Sequence, residues 1–244
     1  MRFTVGDRVE RFLVEEVIRV SAYYESYKVS TIEGMPFVLK CVSEEKIQNT
    51  LERMLLEEEG AMLASIGHPC IRMCREVLPD VGAQILEYVD GNSLDSLLYS
   101  LRTQKNFMPA GLACYVATCL ARALVFLHGQ GIWHLDVSPS NVLVGKQGQV
   151  LLCDFEHGRW GGQHCVRPFL PFDAKKRYST PEQNKGEEPS DKTDVFQYGA
   201  LLSELLEILD APSPVLQQIS QKAMLREPGD RPSMQDLLVI LEQK

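Results

Sequence analysis

The apolar residues of this chain change period near residue 44, and that change restricts the fold more than any other feature. From residue 9 to residue 42 they alternate, in RFLVEEVIRV, ESYKVS and PFVLKCV, with TIEGM as a turn before the last run. A period of two puts alternate side chains on one face of a strand, so three antiparallel strands are predicted. From Glu44 to about Ile66 the spacing becomes helical, with Leu51, Met54, Leu55, Met62 and Leu63 on one stripe, until Gly67 and Pro69 stop it. Two short apolar runs follow, and EYVDGN (87–92) then offers a polar, glycine-containing connection. Further helices are predicted over 93–101, 110–128, 193–209 and 234–241, and NVLVG and QVLLCDF, joined by KQG, read as a hairpin. Strands gathered in the first third and helices in the remainder describe an α+β chain of two lobes with a cleft between them.

At 244 residues the chain is long enough to bury a sizeable core. No repeat and no Gly/Ser/Pro-rich linker divides it. Apolar residues at 45% and charged residues at 24% exclude disordered and low-complexity classes. With 25 basic against 33 acidic side chains the formal charge is −8, which argues against nucleic acid or an anionic membrane as partner. No apolar run approaches the roughly 18 to 20 residues of a spanning helix, and MRFTVGDRVERF lacks the apolar core of a signal peptide, so an intracellular, cytoplasmic location is expected. The seven cysteines, Cys41, Cys70, Cys74, Cys114, Cys119, Cys153 and Cys165, include no CxxC and no zinc spacing. They read as reduced thiols, mostly in the core.

The segment GIWHLDVSPSNVLVGKQGQVLLCDFEHG (131–158) places Asp136, Asn141 and Asp154 around the hairpin. That spacing aims one base and two oxygen ligands at a Mg-bound phosphate, a cation that takes few carboxylates alongside phosphate oxygens and water. Here the sequence resembles the protein kinases, in style the Ser/Thr kinases: HLDVSPSN lies over the catalytic-loop pattern HRDxxxxN, and DFE over DFG. Taken alone, an HxD or DF pair is usually a cap or a turn. The motifs recur in order, however. FVLK (37–40) resembles the third-strand VAIK, making Lys40 the phosphate-binding lysine, although a lone lysine at a strand end is more often solvated. The helix ending EGAMLASIGHP resembles the family's helix C, making Glu59 the partner of Lys40, with Glu57 and Glu58 close competitors in what is otherwise a solvated acidic face. LEYVDGNSL resembles the hinge, with Leu86 as gatekeeper and the backbones of Glu87 and Val89 facing adenine, and Leu143 joins the cofactor-binding set. YSTPE (178–182), DVFQYG (194–199) and GDRPSM (229–234) resemble the APE motif, the buried start of helix F and the late arginine motif. In the family the counterparts of Glu182 and Arg231 form a buried ion pair, and that of Asp194 holds the catalytic loop. These later motifs separate the chain from the aminoglycoside kinases, which share only the HxDxxxxN logic.

The resemblance implies a single bilobal kinase domain over 1–244, with a small β-rich N-lobe of about 8–86 carrying one helix, a hinge at 87–92 and a larger, mainly helical C-lobe at 93–244. It implies ATP and Mg²⁺ as cofactors and a protein substrate phosphorylated on Ser or Thr, with Asp136, Lys40 and Asn141 catalytic. Asn141 and Asp154 are the implied metal ligands, and Lys40, Glu59, Glu87, Val89, Leu143 and Asp154 the implied nucleotide contacts. Tyrosine specificity fits less well, since the loop pattern HRDLAARN is not matched.

Departures from the family keep a second class open. IRVSAYYESYKV lies over IGxGxxGxVYxV with Arg19, Ser21 and Tyr24 in place of all three glycines, so this loop cannot cradle phosphates in the usual way. Ser26 replaces the valine over adenine, and Val38 the small alanine. Glu156 replaces the glycine of DFG, either repelling phosphate or adding a metal ligand. Leu135 replaces the arginine that reads a phosphorylated activation segment, so activity is expected not to need phosphorylation of 154–182, with Tyr178, Ser179 and Thr180 forming a substrate-side floor. Ser138 replaces the catalytic-loop lysine, and Lys175 falls where the family has its partner threonine, an apparent exchange of residue types weighed against a solvated basic pair with Lys176. A pseudokinase, acting as a nucleotide-sensing or protein-binding scaffold, is the alternative to an active kinase.

Overall fold

Phe12, Val14, Tyr27, Val29, Leu39 and Cys41 are the buried half of the early alternation, and they pack into one cluster with Ala83 and Ile85. The computed structural model describes residues 1–162 and 177–243. The strands are β1 (Arg8–Val9), β2 (Phe12–Val20), β3 (Tyr24–Ser30), β4 (Pro36–Val42), β5 (Cys74–Leu78) and β6 (Ala83–Glu87), in a six-stranded sheet of order β1-β2-β3-β4-β6-β5. The expected three antiparallel strands are β2, β3 and β4, and β6 extends the sheet beside β4 with Lys40 opposite Gln84.

Helix α1 (Thr50–Ser65) packs on this sheet and starts later than its apolar pattern suggests. Glu44–Lys46 forms a separate 3₁₀ turn, and the Asn49 side chain caps α1 by accepting from the Leu51 and Glu52 amides. The buried face also differs from the expected stripe. Of that stripe Met62 and Leu63 are buried and Leu55 is half-buried, but Leu51 and Met54 are exposed, and Glu52, Leu56, Glu59 and Gly60 are buried instead. Partners in the sheet, described below for Glu52 and Glu59, offset the cost of burying carboxylates and turn the helix toward them.

These elements make one compact unit, residues 1–67 and 72–90; residues 68–71 and 91–244 make the other. In the second unit β7 (Gly91–Ser93), β9 (Val142–Gly145) and β10 (Val150–Leu152) form a three-stranded sheet, and β8 (Ile132–Trp133) pairs with β11 (Arg159–Trp160). The helices are α2 (Leu94–Thr103), α3 (Ala110–Gly129), α4 (Pro181–Asn184), α5 (Asp191–Leu206), α6 (Pro214–Ala223) and α7 (Met234–Glu242). Helix α3 corrects one expectation: its 20 residues, at mean hydropathy 1.9, are long and apolar enough to cross a membrane by length and composition. Its burial has a local cause, since nine of its residues are core and it packs against α5, α7 and β10. Helix α6 was not foreseen. Only Leu216, Ile219, Ser220 and Ala223 of PVLQQISQKA are buried, too few apolar positions to stand out from a polar stretch.

Candidate functional site

In the β-rich unit Lys40 lies at the β4 position facing α1 and is buried. Its ammonium donates to both carboxylate oxygens of Glu59, at 3.0 and 2.8 Å. Glu57 is half-buried and Glu58 exposed, so among the three neighbouring glutamates Glu59 makes the pair. Two further groups were not legible in the sequence. Gln84, fully buried, donates from Nε2 to Glu59 Oε2 at 2.9 Å, fixing the carboxylate from the strand beside Lys40. Tyr24 places its ring over the Lys40 ammonium, 5.0 Å from the centroid, and its hydroxyl donates to Glu52 at 3.2 Å.

Tyr24 occupies the position of the third missing glycine, and the turn around it is tied down. Ser21 donates from its amide and its hydroxyl to the Tyr24 carbonyl, at 2.9 and 2.7 Å. Ser43, just after β4, donates from its amide to the Tyr23 carbonyl and from its hydroxyl to the Ala22 carbonyl, at 2.8 and 3.0 Å. The amides of Ser21 and Tyr24 are thus spent on the turn itself, the latter on Ser21 Oγ at 3.0 Å. Further along this unit the Glu87 amide donates to the Met73 carbonyl at 3.0 Å, and the Glu87 carbonyl accepts from Arg72 Nε at 2.9 Å, which uses one of its two lone pairs. Val89 is half-buried.

In the helical unit the Asn141 side-chain amide donates to the Asp136 carbonyl at 2.9 Å and to its carboxylate at 2.8 Å. With the nitrogen facing Asp136, Oδ1 is turned away from it, accepts from the Ser140 hydroxyl at 3.4 Å, and is the side-chain oxygen that Asn141 has to offer a cation. The Cys153 amide donates to the Asn141 carbonyl at 2.9 Å, which brings Asp154 next in line beside Asn141. Leu143, on β9, is half-buried. Asp154 and Leu135 both take left-handed backbone, at φ 64° and 63°. For a leucine this is uncommon and strained, and it persists only when its surroundings hold it. Here buried Asp194 accepts from the His134 and Leu135 amides at 2.9 and 2.6 Å, while Gln197 accepts from the Val137 amide and donates to the Leu135 carbonyl, at 2.9 and 3.0 Å.

His134 is fully buried, and its two ring bonds fix a neutral tautomer. Nδ1 accepts from the Asp136 amide at 3.2 Å, so Nε2–H donates to the Cys153 carbonyl at 3.2 Å. Burial lowers its pKa in spite of Asp194, Asp136 and Asp154. It therefore ties the Asp136 loop to the Asp154 segment as a structural group. Residues 22–238 match the protein kinase domain family. The chain belongs to the protein kinase family. A probable serine/threonine-protein kinase of Streptomyces coelicolor is 30% identical over 191 residues, 73% of this chain and 27% of that protein. One from Clostridium perfringens is 26% identical over 183 residues, 74% of the chain and 26% of the relative. The tyrosine-protein kinase MasK of Myxococcus xanthus is 28% identical over 162 residues, 62% and 25% of the two chains. The chain thus spans about a quarter of the length of these relatives.

A buried ion pair joins the start of α4 to the approach to α7. Glu182, at the start of α4, accepts two bonds from Arg231, at 2.7 and 2.8 Å, and Arg231 donates its other N–H groups to the carbonyls of Lys192, Leu225 and Arg226 at 2.8 to 3.0 Å. Tyr178 is buried with its hydroxyl on Glu204, and Thr180 is the buried cap of α4, so neither presents a hydroxyl to solvent. Leu135 is fully buried, a setting with no place for an unpaired arginine. Ser138 is buried and shares a hydrogen bond of 3.0 Å with Ser140. Its expected counterpart Lys175, like Lys176 and Cys165, lies outside the described residues. Glu156 lies half-buried in a turn closed by the Gly158 amide on the Phe155 carbonyl at 2.8 Å. As a donor set, one carboxylate at Asp154 with the Asn141 amide oxygen suits Mg²⁺, which fills its shell with phosphate oxygens and water. In the turn at 21–24 the Ser21 and Tyr24 amides are bonded within the turn itself and are not offered to a phosphate.

Proposed function

We propose that this kinase domain, a single domain over 1–244 with 87–92 as its hinge, is an ATP- and Mg²⁺-dependent enzyme that phosphorylates Ser or Thr of a protein substrate. Bound ATP with Mg²⁺ would supply the phosphoryl group and neutralise charge on it. Lys40, held by Glu59 and Gln84, positions the α and β phosphates. Asn141 and Asp154 provide oxygen ligands for the cation, and Asp136 orients the substrate hydroxyl and takes its proton. The backbones of Glu87 and Val89, with Leu143, receive adenine. The observation that carries the reading is the buried Lys40–Glu59 pair. Burying two charges costs about what their attraction returns, so anion binding, rather than stability, accounts for a lysine placed there. Tyr24 over Lys40 favours a second reading, a pseudokinase whose lysine is occupied by its own chain.

The test is a thermal shift with ATP and Mg²⁺, followed by phosphate transfer to a generic protein, with Asp136→Asn as control. Lys40→Met is expected to abolish the shift, since losing a hydrogen bond to a charged group costs about 1.5–3 kcal/mol, or roughly 10- to 150-fold in affinity. Tight ATP binding by that variant would remove Lys40 from the site. A shift in the wild type with no transfer would select the pseudokinase.

A further inference from the structure

The bond from Gln84 to Glu59 is costly to build. Lys40 of β4 and Gln84 of β6 stand directly opposite in the ladder, so their side chains share one face of the sheet. On that face both reach a single atom of α1, Glu59 Oε2, Lys40 at 2.8 Å and Gln84 Nε2 at 2.9 Å. The partner fixes the amide's orientation, because only the nitrogen of a glutamine side chain can donate to a carboxylate. Gln84 Oε1 is therefore turned away, and it is buried without a hydrogen-bond partner among the described residues. It lies against Gly60 of α1. A Cβ added there would stand 2.9 Å from Oε1 and 2.7 Å from Cγ2 of Val77, the residue opposite Gln84 on β5.

Two penalties attend this one contact. An acceptor buried without a partner gives up its hydration and receives nothing in return, and a glycine within a helix is less favourable than alanine. An apolar side chain of similar length at position 84 would avoid the first. Glu59, moreover, already takes two bonds from Lys40, at 3.0 and 2.8 Å. Stability therefore does not account for the amide. What it adds is a donor to Glu59 that phosphate does not attract.

We infer that Gln84 is a positioning residue, which keeps the Glu59 carboxylate in place while the Lys40 ammonium turns toward the phosphates of a nucleotide. The inference rests on the nucleotide-binding reading above and deepens it. An anion arriving at Lys40 competes with Glu59 for the N–H groups of the ammonium. Without the amide, each bond that Lys40 gives to phosphate is taken from a carboxylate only 5% exposed, and a buried charge that loses its partner is strongly unfavourable. A neutral amide is not drawn to the anion, so its bond to Oε2 remains when that of Lys40 lengthens. Glu59 then stays where it is, as the counter-charge that fixes the position of Lys40. Glu52, seven residues earlier on the same face of α1, is also met by a neutral donor, the Tyr24 hydroxyl at 3.2 Å.

The test compares ATP with adenosine, which has the same base and sugar but no phosphate. Both affinities are measured by titration calorimetry with Mg²⁺, on the full chain and on Gln84→Met, which keeps the length of the side chain and removes the amide. ATP binding is expected to weaken about ten-fold or more in the variant, the size of one hydrogen bond to a charged group, with adenosine unchanged within about two-fold. Equal weakening of both ligands in a folded variant would assign Gln84 a structural role, and unchanged ATP binding would assign it no part in positioning. Either result overturns the inference and leaves nucleotide binding standing. A wild type that binds neither ligand overturns the nucleotide reading, and the inference with it. The wild type also carries a readout that does not depend on whether the variant folds. Its Gln84 side-chain amide protons, followed by NMR, are expected to remain slow to exchange with solvent once ATP and Mg²⁺ are bound. Exchange that quickens on binding would show that the contact with Glu59 breaks at the moment it is needed, and overturns the inference.

Discussion

Tyr24, which stands where the family's loop has a glycine, brings an aromatic ring to Lys40. Its ring faces an ammonium that also donates to Glu59, and a buried cation–π contact of this kind is worth up to about 2 kcal/mol. A phosphate arriving at Lys40 competes with that ring. Tyr24→Leu keeps apolar volume beside Val42 and Leu56, the residues Tyr24 packs with, and removes the π face. The expected outcome is tighter ATP binding, by a few-fold to about 30-fold at the full value of the contact, measured by titration calorimetry. Unchanged or weaker binding in a folded variant would show that the ring does not compete. Lys40, Asp136, Asn141 and Asp154 were legible because their types and order are set by one chemistry. Gln84 and the stacking of Tyr24 were not. Each depends on which face of α1 turns inward, and the apolar stripe of that helix pointed to Leu51 and Met54 instead.

At the scale of elements, helix starts were legible with and without a side-chain cap: α3, which has none, begins at the expected Ala110, whereas α1, capped by Asn49, begins six residues after the expected Glu44. Ser93, Ser190 and Ser233 each accept a backbone N–H within the first turn of their helix, and these starts fell within two residues of expectation. Helix α6 is different because its partner, rather than its own pattern, specifies it. Gly199 of α5 lets α6 approach so closely that an added Cβ would lie 2.7 Å from Ala223 Cβ and 2.9 Å from Met224 Cγ, and Ser220 donates to the Gly199 carbonyl at 2.9 Å. Gly199→Ala is expected to cost about 1–3 kcal/mol through overpacking, even though alanine favours a helix. Urea unfolding measures this directly. A neutral or stabilising result would mean that α6 moves away without loss, and that the closeness is not what holds it.

For the whole molecule, His134 makes stability depend on pH. It is neutral in the folded chain because burial lowers its pKa, whereas the unfolded chain takes up a proton near the ordinary value of about 6.5. Below that value the unfolded state binds more protons, so stability falls as pH falls, by at most about 1.4 kcal/mol per pH unit for one group. His68, also lowered by burial, acts in the same direction, so the comparison has to be made against a variant. Glu182 and Asp236, both held below the usual carboxylate values, add a separate loss at lower pH. Unfolding free energies at pH 7.5 and 5.5 are expected to differ more in the wild type than in His134→Gln. Equal differences would mean that His134 does not titrate on unfolding. The division into a β-rich and a helical unit was legible at this scale because a change of period survives the loss of every functional motif.

Ionic strength acts unevenly on such a structure. The Arg11–Glu76 and Arg122–Glu242 pairs lie at the surface, where added electrolyte screens them and where each is worth about 0–1 kcal/mol at best. The Glu182–Arg231 pair is out of reach of mobile ions, with side chains 4% and 0% exposed and every arginine N–H already directed at an oxygen. Concentrated salt therefore loosens the periphery of an anionic chain and leaves the junction of α4, α5 and the approach to α7 closed.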